Sequence, residues 1–220
     1  MEETIIAIDG PAGSGKSTVA KIIARRLGLL YIDTGAMYRA LTLKAMRQKI
    51  GFKDERSLIR LAESSRIDLK EAGGALKVYI DDEDVSGLIR TSELTNNVKY
   101  IARIPGVRKR MVELQRGIGR AAGAVLEGRD IGTVVFPDAR FKFYLDADLR
   151  ERAKRRHKDL ISLGQEISAE EVECDVSARD SSDMKRSVGA LKKAADAILI
   201  DTTALTINEV VEKVISYITR

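Results

Sequence analysis

The stretch Gly10, Pro11, Ala12, Gly13, Ser14, Gly15, Lys16, Ser17 spells Gly-x-x-x-x-Gly-Lys-Ser, and it constrains the possible folds more than any other part of the chain. The apolar run Thr4–Asp9 precedes it and a helical pattern follows, which is the setting in which this spacing wraps a polyphosphate. The glycines let backbone N–H groups turn inward. Lys16 can reach β- and γ-phosphate oxygens, and the Ser17 hydroxyl can ligate a magnesium ion. The helix opening near Lys16 aims its positive dipole end at the same phosphates. An ordinary Gly-rich turn is the competing reading, and the full spacing with both flanks in place argues against it. With Thr18, these residues are the predicted ATP-binding loop, and Mg2+ is the expected cofactor.

At 220 residues the chain is long enough for one large core with a small inserted lobe. An apolar content of 44% beside 32% charged residues describes a globular chain rather than a disordered one. Cys174 is the sole cysteine and His157 the sole histidine, which argues against a disulfide framework, a Cys-based zinc site and a His-clustered metal site. No apolar run approaches the ~20 residues of a membrane span, and no signal-peptide pattern is present. The expectation is a cytoplasmic protein without membrane contact. The net charge of +5 suits either nucleic acid or a pocket for small polyanions, and the placement of the arginines must decide.

Apolar periodicity predicts a strand over Thr4–Asp9, a helix from Lys16 to about Leu27 closed by Gly28, and a short strand over Leu30–Ile32. Asp33 or Thr34 can cap the next helix, which carries Met37, Leu41, Leu43 and Met46 to near Gly51. A short helix covers Asp54–Ser64. The period then changes to two. Arg66–Lys70, a Gly73-Gly74 turn and Leu76–Ile80 predict an antiparallel hairpin, with Asp81–Asp84 as a solvated acidic turn. Helices resume over Ser92–Ala102 and from Pro105 to about Arg120. Strands follow at Ala124–Leu126, Phe141–Leu145 and Ala197–Ile200, with a basic helix from Asp148 and helices opened by the capping boxes Ser168–Glu171 and Thr206–Glu209. Strands alternating with helices predict an α/β fold of the P-loop NTPase type, three layers around a central parallel sheet, with residues 66–90 as a β-containing excursion.

A phosphate-binding loop identifies a donor and not an acceptor. Ligands of open α/β sheets bind beyond the carboxyl ends of the strands, so the junction holding Thr34, Tyr38 and Arg39 should face the loop across a cleft. Arg129 and Asp130, set between glycines after the third parallel strand, point at the same edge. Arginine forks onto phosphate oxygens and aspartate accepts from amino or hydroxyl groups. Arg179, Asp183 and Arg186 fall at i, i+4 and i+7, one face of a helix. Arg150, Arg152, Arg155 and Arg156 form a fourth group, suited to a transferring γ-phosphoryl that is stabilised by positioning and electrostatics. Taken singly, each group has a structural alternative: a core aromatic, an ion pair, a salt-bridged helix face.

Taken together, Ile8–Lys16, Asp33–Arg39, Gly128–Asp138, Arg179-Asp180 with Asp183, and Ala195–Thr202 resemble the bacterial cytidylate kinase family, within the nucleoside monophosphate kinases. The resemblance covers nearly the whole chain. It implies transfer of the ATP γ-phosphate to CMP or dCMP by a monomer acting on small molecules, with no nucleic-acid partner. It also implies a core (about 1–33, 92–148 and 190–220), an acceptor lobe (about 34–91) and a helical lid (about 149–168). Arg39, Arg129 and Arg186 would hold the acceptor phosphate. Arg179 and Asp183 would hold the ribose near Thr34 and Tyr38, while Arg108 and Asp130 would read cytosine. Lys16, Arg129, Arg152, Arg155 and Arg156 would serve the transferring phosphoryl group. Two positions depart from the family pattern: Lys99 stands where a small hydroxyl is usual, and Ala190 replaces a proline.

Two other readings stay open on sequence. One is a P-loop kinase of another small acceptor, a different nucleoside monophosphate or a shikimate-like compound. The other is a nucleic-acid-stimulated ATPase, which would need an acidic strand end with a catalytic glutamate that Leu126-Glu127 imitates only loosely.

Overall fold

A computed structural model describes residues 4–72, 75–162 and 164–219. In β1 (Ile5–Asp9), Ile6 and Ile8 are buried in one core and Ala7 in another. β6 (Ala124–Gly128) divides in the same way, Val125 to one side and Ala124 and Leu126 to the other. Burial on both faces is why these strands read as unbroken apolar runs. With β2 (Leu30–Asp33), β7 (Phe141–Asp146) and β8 (Ile198–Asp201) they form one sheet in the order β2-β6-β1-β7-β8, every pair parallel. The register sets Asp9 beside Gly128 and Asp33 beside Glu127, so the carboxyl ends of β1, β6 and β2 lie level.

On one face, Val19 and Ile23 of α1 (Lys16–Leu27) and Val210, Val211 and Val214 of α8 (Ile207–Ile218) pack on Ile6, Ile8, Phe143 and Leu145. Gly28 ends α1 with φ 65°, its N–H capping the Ala24 carbonyl. The opposite face carries α2 (Thr34–Arg47), α4 (Ser92–Ala102) and α5 (Pro105–Ala122), with Met37, Leu41, Ile101 and Met111 wholly buried. α3 (Glu55–Ser64) lies against α5. The outcome is the expected three-layer α/β arrangement.

β3 (Ile67–Ala72), β4 (Ala75–Ile80) and β5 (Glu83–Asp84) make a small antiparallel sheet, the expected excursion. The anticipated Gly73-Gly74 turn falls outside the described residues. The acidic segment differs from a simple solvated turn. Asp81 and Asp82 adopt left-handed φ values of 49° and 69°, and Glu83–Asp84 return as a strand. Ion pairs to Lys44, Arg66, Arg47 and Lys77 balance the four carboxylates. Ile67, Leu69, Val78 and Ile80 join the main core, which fastens the excursion to α2.

α6 (Leu149–Ser162) and α7 (Ala169–Met184) share a separate small core of Ala153, Leu160, Val172 and Val176. Both capping boxes form as read from sequence. α7 stops at Met184, so Arg186 lies beyond the helix and the expected single face of Arg179, Asp183 and Arg186 is not helical to its end. Among the described residues no helix is long and apolar enough to cross a membrane.

Candidate active site

Gly10, Gly13 and Gly15 all take positive φ between β1 and α1, which bends the loop back on itself. At Gly13, φ is 77° and a Cβ would come 2.8 Å from the Arg152 carbonyl oxygen, so conformation and space both demand glycine. Lys16 is buried. Its Nζ donates to the Pro11 carbonyl at 2.9 Å and lies 4.0 Å from Glu127 Oε2. Burial, aided by Arg129 and Arg179 and opposed by Glu127 and Asp183, brings its pKa down to about 7. Ser14 Oγ is buried without a hydrogen-bond partner, and Ser17 and Thr18 are exposed.

α6 closes on the back of this loop. Arg152 is buried, forms an ion pair with Asp180 of α7, and donates to the carbonyls of Ala147 at 2.9 Å and Ala12 at 3.1 Å. Asp180 Oδ1 accepts the Ala12 N–H at 3.3 Å. Arg155 donates to the Thr202 hydroxyl (3.1 Å) and carbonyl (2.7 Å), and Thr202 donates on to the Ser14 carbonyl at 3.1 Å. Arg156 is half-buried and makes no hydrogen bond or ion pair among the described residues. His157 is structural, its Nε2 lying 2.9 Å from the Ile167 carbonyl.

The facing wall begins where β6 ends. Arg129 Nε donates to Asp183 Oδ2 at 2.7 Å, and Arg186 pairs with the other oxygen of the same carboxylate. Burial pushes Asp183 up, but Arg129, Arg186 and Arg179 outweigh it and hold the carboxyl below its usual range. Arg39, fixed to Asp33 at 3.0 Å, keeps a buried Nε without a partner. Arg179 makes no hydrogen bond or ion pair among the described residues. Burial first, then Arg129, with Arg39 and Arg156 adding, lower its pKa to about 10. Cations thus run from Lys16 through Arg129 and Arg179 to Arg39 and Arg156, of which Arg179 and Arg156 make no ion pair among the described residues. Such a concentration of positive charge is built for a polyanion.

Beyond the cations lies a more mixed pocket. Arg108 pairs with Asp130, and its guanidinium carbon sits 5.9 Å from the Tyr38 ring centroid. The Tyr38 hydroxyl is buried without a partner, and burial drives its pKa up to about 12, so it stays a phenol. Nε of Arg108 and Nε of Arg186 are also buried and unpaired. Gly189, buried with φ 64°, lies directly against the Arg108 guanidinium, where any Cβ would collide. Orphaned donors around a planar, ion-paired floor suit a ligand with several acceptors.

The structure therefore brings Lys16, Tyr38, Arg39, Arg108, Arg129, Asp130, Arg156, Arg179, Asp183 and Arg186 into one electrostatically linked cluster. Thr34 sits at its edge, its hydroxyl donating to the Glu127 carbonyl at 2.7 Å. Arg152 and Arg155 are engaged with protein backbone behind the loop. Lys99 is exposed, with Nζ 5.2 Å from the Tyr100 ring centroid. Glu127, which accepts the Tyr31 hydroxyl at 3.1 Å beside Lys16, enters the sequence reading only as a loose Walker-B imitation, and neither it nor Asp180 or Asp9 is among the expected site residues. A carboxylate ending a buried strand was the available signal for Glu127 and Asp9.

The cytidylate kinase family profile matches residues 6–220. A cytidylate kinase of Geobacillus sp. (strain WCH70) is 50% identical over 213 residues, covering 97% of this chain and 95% of that protein. One of Clostridioides difficile (strain 630) is 49% identical, covering 99% of both chains. In fold, the chain resembles the crystal structure of an uncharacterized protein from Eubacterium ventriosum ATCC 27560, with a TM-score of 0.55, 13% identity and 99% coverage of each. The phosphate loop, the cationic cluster and this near-complete coverage agree, and the chain belongs to the cytidylate kinase family.

Proposed function

We propose that this protein transfers the γ-phosphate of ATP to CMP or dCMP, giving ADP and CDP or dCDP. The observation that carries the reading is the cationic cleft between Lys16 and Arg39, because it separates a phosphate loop from the Arg108–Asp130 pocket. In this reading Gly10–Thr18 holds ATP, with Lys16 on its outer phosphates and Arg155 and Arg156 supplied from α6. Arg152 contributes from behind the loop. Arg39, Arg129 and Arg186 hold the acceptor phosphate, and Arg179 and Asp183 hold the ribose near Thr34 and Tyr38. The Asp130 carboxylate accepts from the cytosine amino group while Arg108 donates to its carbonyl side.

The acceptor phosphate is already a nucleophile, so no side chain need remove a proton from it. Rate comes from alignment of two anions in a cleft whose arginines offset their repulsion, and from exclusion of water. We place the acceptor lobe at residues 34–91 and a lid at 149–168. The hydrogen bond from Ser92 to Gln165, at 2.9 Å, supports that placement by joining the connection after α6 to the start of α4. The exposed Ser17 hydroxyl, free of any hydrogen bond among the described residues, fits a magnesium ion carried by ATP. Among those residues no cluster of His, Cys, Asp or Glu would hold a metal by itself. When bound, magnesium supplies charge neutralisation on the phosphates. Steady-state rates with Mg-ATP and CMP, dCMP, UMP, AMP or GMP test the proposal. CMP and dCMP should lead by kcat/KM, and equal use of the purine nucleotides would overturn it.

A further inference from the structure

Asp9 ends β1, adjoins the phosphate loop, and is only 4% exposed. It makes no ion pair among the described residues. Instead its two carboxylate oxygens each accept one backbone N–H, from Ile131 and from Gly132, both at 2.8 Å. Those amides open a π-helical turn, Ile131–Val135, that directly follows Arg129 and Asp130. Arg116 of α5 grips the far side of the turn through the carbonyls of Val134 and Val135, at 2.8 and 2.7 Å. A single wide turn leaves its first N–H groups without intrahelical acceptors, and π turns of this kind recur at functional sites. A buried carboxylate lacking a cation is costly, and an apolar side chain would close the strand more cheaply. What the carboxylate does in return is tie the Arg129–Asp130 turn to the strand that delivers the phosphate loop.

We propose that Asp9 is a positioning residue for phosphoryl transfer, setting Arg129 and Asp130 relative to Lys16 through the amides of Ile131 and Gly132. The inference rests on the acceptor-side reading of Arg129 and Asp130. Facing Asp9 are Arg129 and Asp130 on the turn and Tyr144 at the paired position of β7. Burial, reinforced by Asp130 and opposed by the two amides and Arg129, raises its pKa to about 6. Taking up a proton would turn one of its two acceptors into a hydroxyl and loosen the turn.

Asp9→Asn keeps the shape and faces an amide NH2 toward one of the two N–H groups. It should raise KM for CMP about tenfold or more while the ATP dissociation constant stays within about twofold. Equal losses for both nucleotides, or no loss in a folded variant, would overturn the proposal. Arg129→Ala measured alongside separates the two levels: if it leaves KM for CMP unchanged, the acceptor-side reading fails first. If it raises KM while Asp9→Asn does not, only the role of Asp9 fails. Should Asp9→Asn not fold, amide exchange in the unaltered protein decides. Protection factors of Ile131 and Gly132 should fall between about pH 7.5 and about pH 5, while those of Ile6 and Ile8 hold. Constant protection at Ile131 and Gly132 would sink the idea.

Discussion

Lys16 carries the sharpest prediction at the residue scale, because its surroundings make it half-neutral near pH 7 before any ligand arrives. Bound phosphates would restore the full charge, so ATP binding above about pH 7 should take up a proton. Calorimetry in two buffers of different ionisation enthalpy measures that uptake, and Lys16→Ala should abolish both the uptake and phosphoryl transfer. The same depressed pKa has a stability consequence. Between about 7 and the ordinary 10.5 the unfolded chain binds more protons at this lysine than the folded one, so its contribution to stability rises with pH across that window. Arg129 is the complementary case on the other wall. Its bond to Asp183 makes Arg129→Ala lower kcat/KM for CMP by about a hundredfold or more, while ATP affinity, read by equilibrium titration, stays near its starting value. Both residues were legible in sequence, since motif spacing and a Gly-flanked Arg-Asp pair are local patterns. The consequences of their burial were not, because the pKa of Lys16 depends on Arg129 and Arg179, which are remote along the chain.

At the scale of elements, the pairing of α6 with α7 matters most. The basic helix was visible as a run of arginines, of which the family resemblance offered Arg152, Arg155 and Arg156 for the transferring phosphoryl group. In the structure Arg152 pairs with Asp180 and donates to the Ala12 carbonyl, Arg155 donates to Thr202, and Arg156 makes no hydrogen bond or ion pair among the described residues. Helical spacing distributes side chains around an axis but does not say which neighbour each side will meet. Arg152→Ala would strand a buried Asp180 carboxylate, and the expected cost is about 3–5 kcal/mol, read as a lowered midpoint of denaturant unfolding. The Ser187–Leu191 segment offers a second test. Gly189→Ala must displace the Arg108 guanidinium and strain a left-handed φ, so KM for CMP should rise several-fold with KM for ATP little changed. In a background of Arg108→Ala that penalty on CMP should largely vanish, as a double-mutant cycle would record.

For the molecule as a whole, cations from several distant segments, Lys16, Arg39, Arg129, Arg156 and Arg179 among them, gather within interaction distance of one another. Unliganded, the cleft holds arginines that repel one another, so any snug polyanion should stabilise the fold. Saturating ATP at about a hundred times its dissociation constant should add about 2.7 kcal/mol, seen as a melting midpoint several degrees higher, and cytidine without a phosphate should add far less. The sheet order β2-β6-β1-β7-β8 makes this convergence possible, because it lays the ends of β1, β2 and β6 side by side although they are far apart in sequence. By itself the sequence determined the alternation of strands and helices, the phosphate loop, and the caps of α1, α7 and α8. These follow from local periodicity and turn chemistry. Only the tertiary structure decided which arginines are free and which are spent on Asp180 and Thr202. It also decided that Arg186 lies past its helix, that Ile131–Val135 forms a π turn, and that Asp9 anchors it. Hydrogen bonds and burial between distant segments set those outcomes, and such contacts leave no periodic trace along the chain.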